Sequence, residues 1–210
     1  MKLFIYNLII LFVAGFFLGG CKKANNSDIK VYEEILTLYP IELTNHLPKI
    51  NNKDTFNLQI ISPLATKANN CNGIYLTKKV SEKEISKIEF ETKDNAKSIM
   101  TFNDSCHYVI NYNDKKLVNI PFERVMCKDT IKKTIYPIPN FNYYIEAGFS
   151  TDFYNLSKIY VLDAKYGEYL DQKYLTENGV GLPNNWKHGY SKGIVICSKE
   201  KIVTYWIEVW

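Results

Sequence analysis

The stretch "LPNNWKHGYSKG", residues 182–193, holds the densest group of side chains that could bind a ligand. Aromatic rings stack on sugars, and lysine and histidine attract anions, so these types together are typical of binding loops. Surrounding glycines and asparagines predict turns, which places the stretch in a loop before the last two strands. Alternatively, Trp186 and Tyr190 close the end of a sheet. The candidate ligand-contact residues are Trp186, Lys187, His188, Tyr190 and Lys192.

No pattern in the chain predicts a reaction. The sequence has no G-x-S-x-G, no H-E-x-x-H and no glycine-rich phosphate loop. Cys106 and His107 are adjacent, but neighbours on a strand point to opposite faces, so this histidine cannot activate that thiol. With no C-x-x-C spacing and three histidines, zinc is not expected. We therefore assign no catalytic residue, no metal and no cofactor.

One further cysteine ends the apolar run that opens the chain. Lys2 is followed by "LFIYNLIILFVAGFFL" (residues 3–18), then by Gly19, Gly20 and Cys21. A positive start, an apolar stretch and small residues are typical of a secretory signal. A membrane-spanning helix needs about 20 apolar residues, so length alone leaves both interpretations open.

Leu18-Gly19-Gly20-Cys21 resembles the lipobox of bacterial lipoprotein precursors. The resemblance implies that a peptidase cuts between Gly20 and Cys21 and that the Cys21 thiol carries lipid. Small residues suit an extended backbone in a protease cleft, and the thiol is the strong nucleophile nearby. The alternative is an uncleaved N-terminal anchor with an incidental cysteine.

The lipobox resemblance divides the chain into three parts. Residues 1–20 are a removed signal peptide, 21–28 are the lipidated cysteine and a polar tether, and 29–210 are one globular domain. Two or three acyl chains hold a protein firmly in the lipid bilayer. Lys22, in place of an aspartate after the cysteine, favours the outer over the inner membrane. The domain then lies in the periplasm or at the cell surface.

The remaining four cysteines could form disulfides. An even number in an exported chain is typical of two bridges, with three pairings open, and buried free thiols are the alternative, above all for Cys197. The cysteines are Cys71, Cys106, Cys127 and Cys197.

Charge argues against a nucleic-acid partner. Without residues 1–20 the chain carries 25 basic and 22 acidic side chains, and Arg124 is the only arginine. This surplus is small and spread along the sequence, whereas nucleic-acid binders carry a large, clustered surplus.

The fold expected is a single α+β domain dominated by antiparallel strands, with one or two short helices. Asp28 is the expected cap of a helix over residues 29–36, although a strand is nearly as well supported. Ser81 and Glu84 form a capping-box pattern for a second helix. Short apolar runs at regular spacing predict strands. They cover residues 56–62, 74–78, 87–92, 98–102, 106–112, 116–122 and 158–166, with turns at Asn72-Gly73 and Gly167 and an edge or crossing segment at 134–141.

The clearest element is a buried C-terminal hairpin. Residues 193–197 and 202–210 flank the loop 198–201, and alternate positions are apolar on both faces. Such a pattern predicts strands that are covered on both sides.

These features predict a membrane-tethered, non-enzymatic lipoprotein that binds an envelope protein or ligand. The alternatives are a hydrolase acting on envelope polymers and an inhibitor or immunity lipoprotein that neutralises one target. The tail, with "GLPNNWKHGYSKGI" (residues 181–194) and "VTYW" (residues 203–206), resembles that of uncharacterised bacterial lipoproteins, a resemblance that implies no activity.

Overall fold

Seven antiparallel strands form the sheet on which every other element is placed. In the spatial order β1-β2-β3-β9-β8-β7-β4, β1 and β4 are its two edges. The computed structural model describes residues 22–61, 72–104, 107–110, 134–141, 151–175 and 179–210. The strands are β1 (Lys22–Lys23), β2 (Thr55–Ile61), β3 (Asn72–Lys79), β4 (Ser98–Thr101), β7 (Lys158–Tyr166), β8 (Gly189–Cys197) and β9 (Ile202–Val209), with a separate parallel pair, β5 (Tyr108–Val109) and β6 (Pro137–Ile138).

Helices complete the α+β architecture predicted from the sequence. Within the described ranges they are α1 (Asn26–Leu36), α2 (Ile41–Thr44), α3 (Glu82–Asn95) and α4 (Thr151–Leu156). Two short 3₁₀ turns cover Gln172–Tyr174 and Asn184–Trp186. The helical content thus exceeds the one or two short helices expected, since α3 alone has 14 residues.

The C-terminal hairpin is confirmed in register and in burial. Cys197 pairs with Ile202 across the loop 198–201. One face of β8 and β9 enters an upper core shared with α1, α2 and α3, and the other enters a lower core shared with α4. The upper-core residues are Ile194, Ile196, Val203, Tyr205, Ile207 and Val209, and the lower-core residues include Val195, Cys197, Trp206 and Trp210.

The segment expected to be a polar tether is folded. Lys22 pairs with Phe56 and Lys23 with Thr55, so β1 extends the sheet. Ala24 is buried in the upper core, and its amide donates to the Asp54 carbonyl at 2.9 Å. The described fold therefore begins at Lys22 and not after Asp28.

Two helix starts follow simple capping chemistry. Helix α1 forms in the segment for which the sequence supported a helix and a strand almost equally. Its N-cap is Asn25, whose side chain accepts a hydrogen bond from the Asp28 amide at 2.8 Å. Asp28 instead lies in the first turn, and the cap prediction was wrong. The capping box of Ser81 and Glu84 is confirmed at the start of α3.

Two local predictions were wrong because pairing and capping outweigh intrinsic propensity. Residues 87–92, expected as a strand, continue α3, since the capping box starts a helix that no glycine or proline interrupts. Asn72 and Gly73, expected as a turn, are the first residues of β3 and pair with Val209 and Glu208. The strand predicted at 116–122 lies outside the described residues. Of the strand predicted at 106–112, residues 107–110 are described and contribute the two-residue β5, and 134–141 contributes the two-residue β6.

Gly193 makes room for the largest side chain of the lower core. It pairs with Trp206, and a Cβ atom on Gly193 would overlap the Trp206 ring and the Tyr160 carbonyl. We expect Gly193→Ala to lower the free energy of unfolding by about 3 kcal/mol, because the core cannot yield to the added methyl. Urea titration followed by tryptophan fluorescence measures the loss.

The conservative change Ile194→Val, one residue away, is the control. It removes one methylene from the upper core and should cost about 1 kcal/mol. Equal stability of Gly193→Ala and the unsubstituted protein would contradict the close approach of the indole.

Candidate functional site

A bulge in β7 places the side chain of Asp163 on the upper-core face of the sheet. The register between β7 and β8 shifts between Val161 and Asp163. Leu162 packs against the upper core, and Asp163 reaches Tyr190 of the same layer. Without the bulge, Asp163 would point towards the lower core.

Asp163 is the centre of a network of lysines and a tyrosine. It forms an ion pair with Lys97, accepts a hydrogen bond from the Tyr190 hydroxyl, and lies 3.6 Å from the Lys165 ammonium. Burial acts to raise the pKa of Asp163, but the hydrogen bonds and charges of these partners outweigh it and hold the pKa below its usual value. Burial and the Asp163 carboxylate raise the pKa of Tyr190. The pair therefore stays an ionised acid and a protonated phenol at neutral pH.

Lys192 is turned inward from the same face. It is 8% exposed, and its ammonium donates to the Glu42 carbonyl at 2.5 Å and to Asn45 Oδ1 at 3.0 Å. Burial lowers the pKa of Lys192. Because both acceptors belong to α2 and its C-terminal cap, this lysine fastens α2 to the centre of the sheet.

His46 forms a second link between the α2 segment and the sheet. Its Nε2 lies 2.7 Å from the Trp206 carbonyl, so the Nε2–H tautomer donates to it. Burial, with a smaller effect of the Lys192 charge, lowers the pKa of His46 to about 4, although the hydrogen bond to Trp206 opposes the shift. His46 is thus neutral at pH 7, and its side chain is half-buried.

A surface groove lies at the start of β7, between α3 and the edge strand β4. Its volume is about 420 Å³. Glu89 accepts from Lys158 at 2.7 Å and from the Tyr160 hydroxyl at 2.9 Å on its wall. Phe90 is 73% exposed and Ile99 is 44% exposed. The lining residues are Ser86, Glu89, Phe90, Lys93, Ile99, Lys158 and Tyr160.

Glu89 and Asp163 are poor candidates for acid–base catalysis. The Lys158 hydrogen bond, above all, lowers the pKa of Glu89, and Asp163 is shifted in the same direction. Glycoside hydrolysis with two carboxyl groups requires that one be held protonated by a raised pKa. Neither acid meets this requirement, so Glu89 and Asp163 do not form such a catalytic pair.

The predicted ligand-contact residues do not converge. Tyr190 and Lys192 belong to β8 and not to the loop, and both are buried on the upper face. Trp186 is buried on the lower face, 6.2 Å from the Trp210 ring, and its carbonyl accepts from Trp210 Nε1 at 2.8 Å. Lys187 is exposed and His188 half-buried, both just before β8. The aromatics thus close the sheet, as in the alternative weighed from the sequence.

Of the candidate cysteines, only Cys197 lies in the described ranges, and it is a free, fully buried thiol of the lower core. Cys71, Cys106 and Cys127 lie outside those ranges, as do Cys21 and the signal segment with Gly20. Among the described side chains no group of three or more potential ligands could hold a metal ion.

The groove was not predicted, although the sequence contains a signal for the helix that forms one of its walls. The capping box at Ser81 predicts a helix, and continuing that helix puts Ile85, Ile88 and Thr92 on one face. Phe90 then falls on the other side, exposed to solvent. The Asp163 network had no comparable signal, because a bulge leaves no mark in an alternating pattern.

Comparison with known proteins assigns the chain to no family. No protein-family model matches it, and no curated protein or solved structure is significantly similar. None of the helices in the described ranges is long and apolar enough to span a membrane.

His46 makes stability depend on pH. Its pKa falls from an ordinary 6.5 to about 4 on folding, so the unfolded chain binds the proton more tightly. The contribution of neutral His46 to the free energy of unfolding is then fully present above pH 6.5. It is lost as the pH falls towards 4, which lowers the free energy of unfolding by about 3 kcal/mol in total. Urea unfolding at a series of pH values between 7 and 4 measures this loss.

His46→Gln provides the comparison, since its side-chain amide can still donate to the Trp206 carbonyl but does not titrate. Its free energy of unfolding should change much less between pH 6.5 and 5, above the range where most carboxylates protonate. If the variant loses as much stability as the unsubstituted protein in that interval, His46 is not the responsible group.

Proposed function

We propose that this protein is a bacterial envelope lipoprotein, anchored through acylated Cys21, whose domain binds a partner protein without catalysing a reaction. The observation that carries the binding role is the groove between α3 and β4, where Phe90 and Ile99 stay exposed beside a strand edge. Large apolar side chains grouped at one exposed place are typical of interaction sites.

Two features support the lipid anchor. The residues Leu18 to Cys21 have the lipobox pattern described above. Every strand and helix that the structure describes lies at or after Lys22, directly after the cysteine of the lipobox. Cleavage between Gly20 and Cys21 would therefore leave every described element intact.

The groove suits an extended segment of another protein. Strand β4 is an edge of the sheet, and in the described part of the chain its outer side pairs with no strand. An added strand could take main-chain hydrogen bonds from that edge and place an apolar side chain between Phe90 and Ile99. Lys93 and Lys158 face one acid, Glu89, so the wall carries a net positive charge and favours an acidic segment.

The anchor is tested by Cys21→Ala. This change should abolish incorporation of labelled palmitate and leave a precursor that retains residues 1–20, because both lipidation and cleavage need the thiol. Metabolic labelling and intact mass measure the two effects. Cys197→Ala is the matched control and should remain labelled, since Cys197 is a buried thiol of the domain. Palmitate on Cys21→Ala would disprove the anchor.

The groove is tested by a photo-crosslinking amino acid at Phe90 in intact cells of the bacterium that makes the protein. We expect one discrete adduct, absent when the crosslinker replaces Tyr166, which is 68% exposed on the other face. Lys93→Glu should lower the adduct yield about fivefold, because it opposes an acidic segment. Equal adducts from both positions, or none from Phe90, would contradict the proposal.

A further inference from the structure

We infer that one corner of the sheet is a second membrane contact, which binds the anionic headgroups of the bilayer that holds the acylated Cys21. We call it the lysine corner: Lys23 of β1, Lys53 of the turn before β2, and Lys79 at the end of β3. This inference rests on the lipid anchor proposed above, and adds to it an orientation of the domain and a class of lipid.

The register of β1, β2 and β3 places Lys23 and Lys79 on either side of Thr55. Lys23 pairs with Thr55, and the adjacent pair Phe56–Lys78 puts Lys79 level with Thr55 on the other side of β2. Neighbouring strands lie about 4.8 Å apart, so the backbones of Lys23 and Lys79 are about 10 Å apart. Phe56 points into the upper core, so by alternation Lys23 and Lys79 share the opposite side.

The turn before β2 fixes the third lysine. The Asp54 amide donates to the Asn51 carbonyl at 3.0 Å, and the Lys53 amide donates to Asn51 Oδ1 at 2.9 Å. The turn closes directly before Thr55, at the same end of β2. All three lysine side chains are exposed.

Acid is scarce in the stretch of chain that carries Lys53 and Lys79. Between residues 43 and 80 the only acidic side chain in the sequence is Asp54, whereas the described lysines of this stretch are Lys49, Lys53, Lys78 and Lys79. Asp54 is itself neutralised by Lys78 at 2.8 Å, and the lysine bond helps to hold the pKa of Asp54 below its usual value against the effect of burial. In the described residues the three corner lysines take part in no ion pair. Of the acids that follow Lys79 in the sequence, Glu82 pairs with Lys201 at 2.8 Å and Glu84 accepts from the Ser81 amide at 2.9 Å.

The position of the anchor selects lipid as the occupant. One residue, Lys22, lies between Cys21 and Lys23, so the Cα atoms of Cys21 and Lys23 are at most about 7 Å apart. Once Cys21 carries lipid, the corner cannot leave the headgroup region, and its charges act within about one screening length at physiological salt. A basic patch beside an acyl chain is a common way to strengthen membrane attachment.

Binding of the lysine corner to the bilayer would fix the orientation of the domain relative to the membrane. Strands β1 and β4 are opposite edges of a seven-stranded sheet, so they are separated by about 29 Å. With β1 against the bilayer, the groove beside β4 would face away from it, accessible to a partner.

The test is lysine reactivity in the full-length protein as the cell processes it, bound to preformed vesicles. One set of vesicles is phosphatidylcholine, and the other is an equal mixture with phosphatidylglycerol. A water-soluble reagent acetylates exposed lysines, and peptide mass spectrometry measures each rate. The corner lysines should react about fivefold more slowly on anionic vesicles, the factor expected for one lysine at an anionic surface. The effect should vanish at about 1 M salt.

Matched charge variants isolate the corner. Lys49, exposed in the loop before β2, serves as the reporter. Its protection on anionic vesicles should disappear in the triple variant Lys23→Gln, Lys53→Gln, Lys79→Gln. It should persist in Lys87→Gln, Lys173→Gln, Lys187→Gln, which removes the same charge elsewhere.

The anchor and the corner fail in different ways. If the Cys21 peptide carries lipid but the corner lysines react equally on both kinds of vesicle, the corner is not a lipid contact. A Cys21 peptide of unmodified mass would overturn the anchor, and the inference with it. Protection by soluble polyglutamate but not by anionic vesicles would assign the corner to an acidic protein and also overturn the inference.

Discussion

The approach of Trp206 to Gly193 is the contact on which the rest of the structure depends. The two residues pair across β8 and β9, and the absence of a side chain on Gly193 lets the indole lie across the neighbouring strand. The Phe141 ring packs edge-on against it at 5.3 Å, which ties the lower core to the sheet. On the other side, the Trp206 carbonyl accepts the hydrogen bond of His46. One residue thus holds both covering layers.

A sheet covered on both faces limits what its polar residues can do. Lys192 is buried and His46 half-buried in the upper layer, and their polar atoms are satisfied there by the α2 segment and the sheet backbone. Tyr75 and Glu208 form a similar buried pair on the lower side. Of the residues predicted to contact a ligand, Lys192 therefore fixes α2 on the sheet, and Trp186 packs against the end of the sheet.

The sequence predicts those elements whose hydrophobic pattern is strong and local. The hairpin of β8 and β9 alternates without interruption, so its register and both faces could be predicted. The strand expected over residues 87–92 failed because a capping box several residues earlier decided the local structure. Asp163 could not be placed, since its face depends on one extra residue in β7. The convergence of Lys23, Lys53 and Lys79 likewise depends on pairing between distant segments.

The same double covering explains why both proposed contacts lie at the edges. Cores on each side occupy the broad faces, which leaves edge strands and their flanking turns as the surface available to partners. Chain order places β1 directly after Cys21, and the strand order carries β4 to the opposite edge. Lipid and protein would then be contacted at opposite ends of one rigid sheet, so neither contact needs the domain to change its shape.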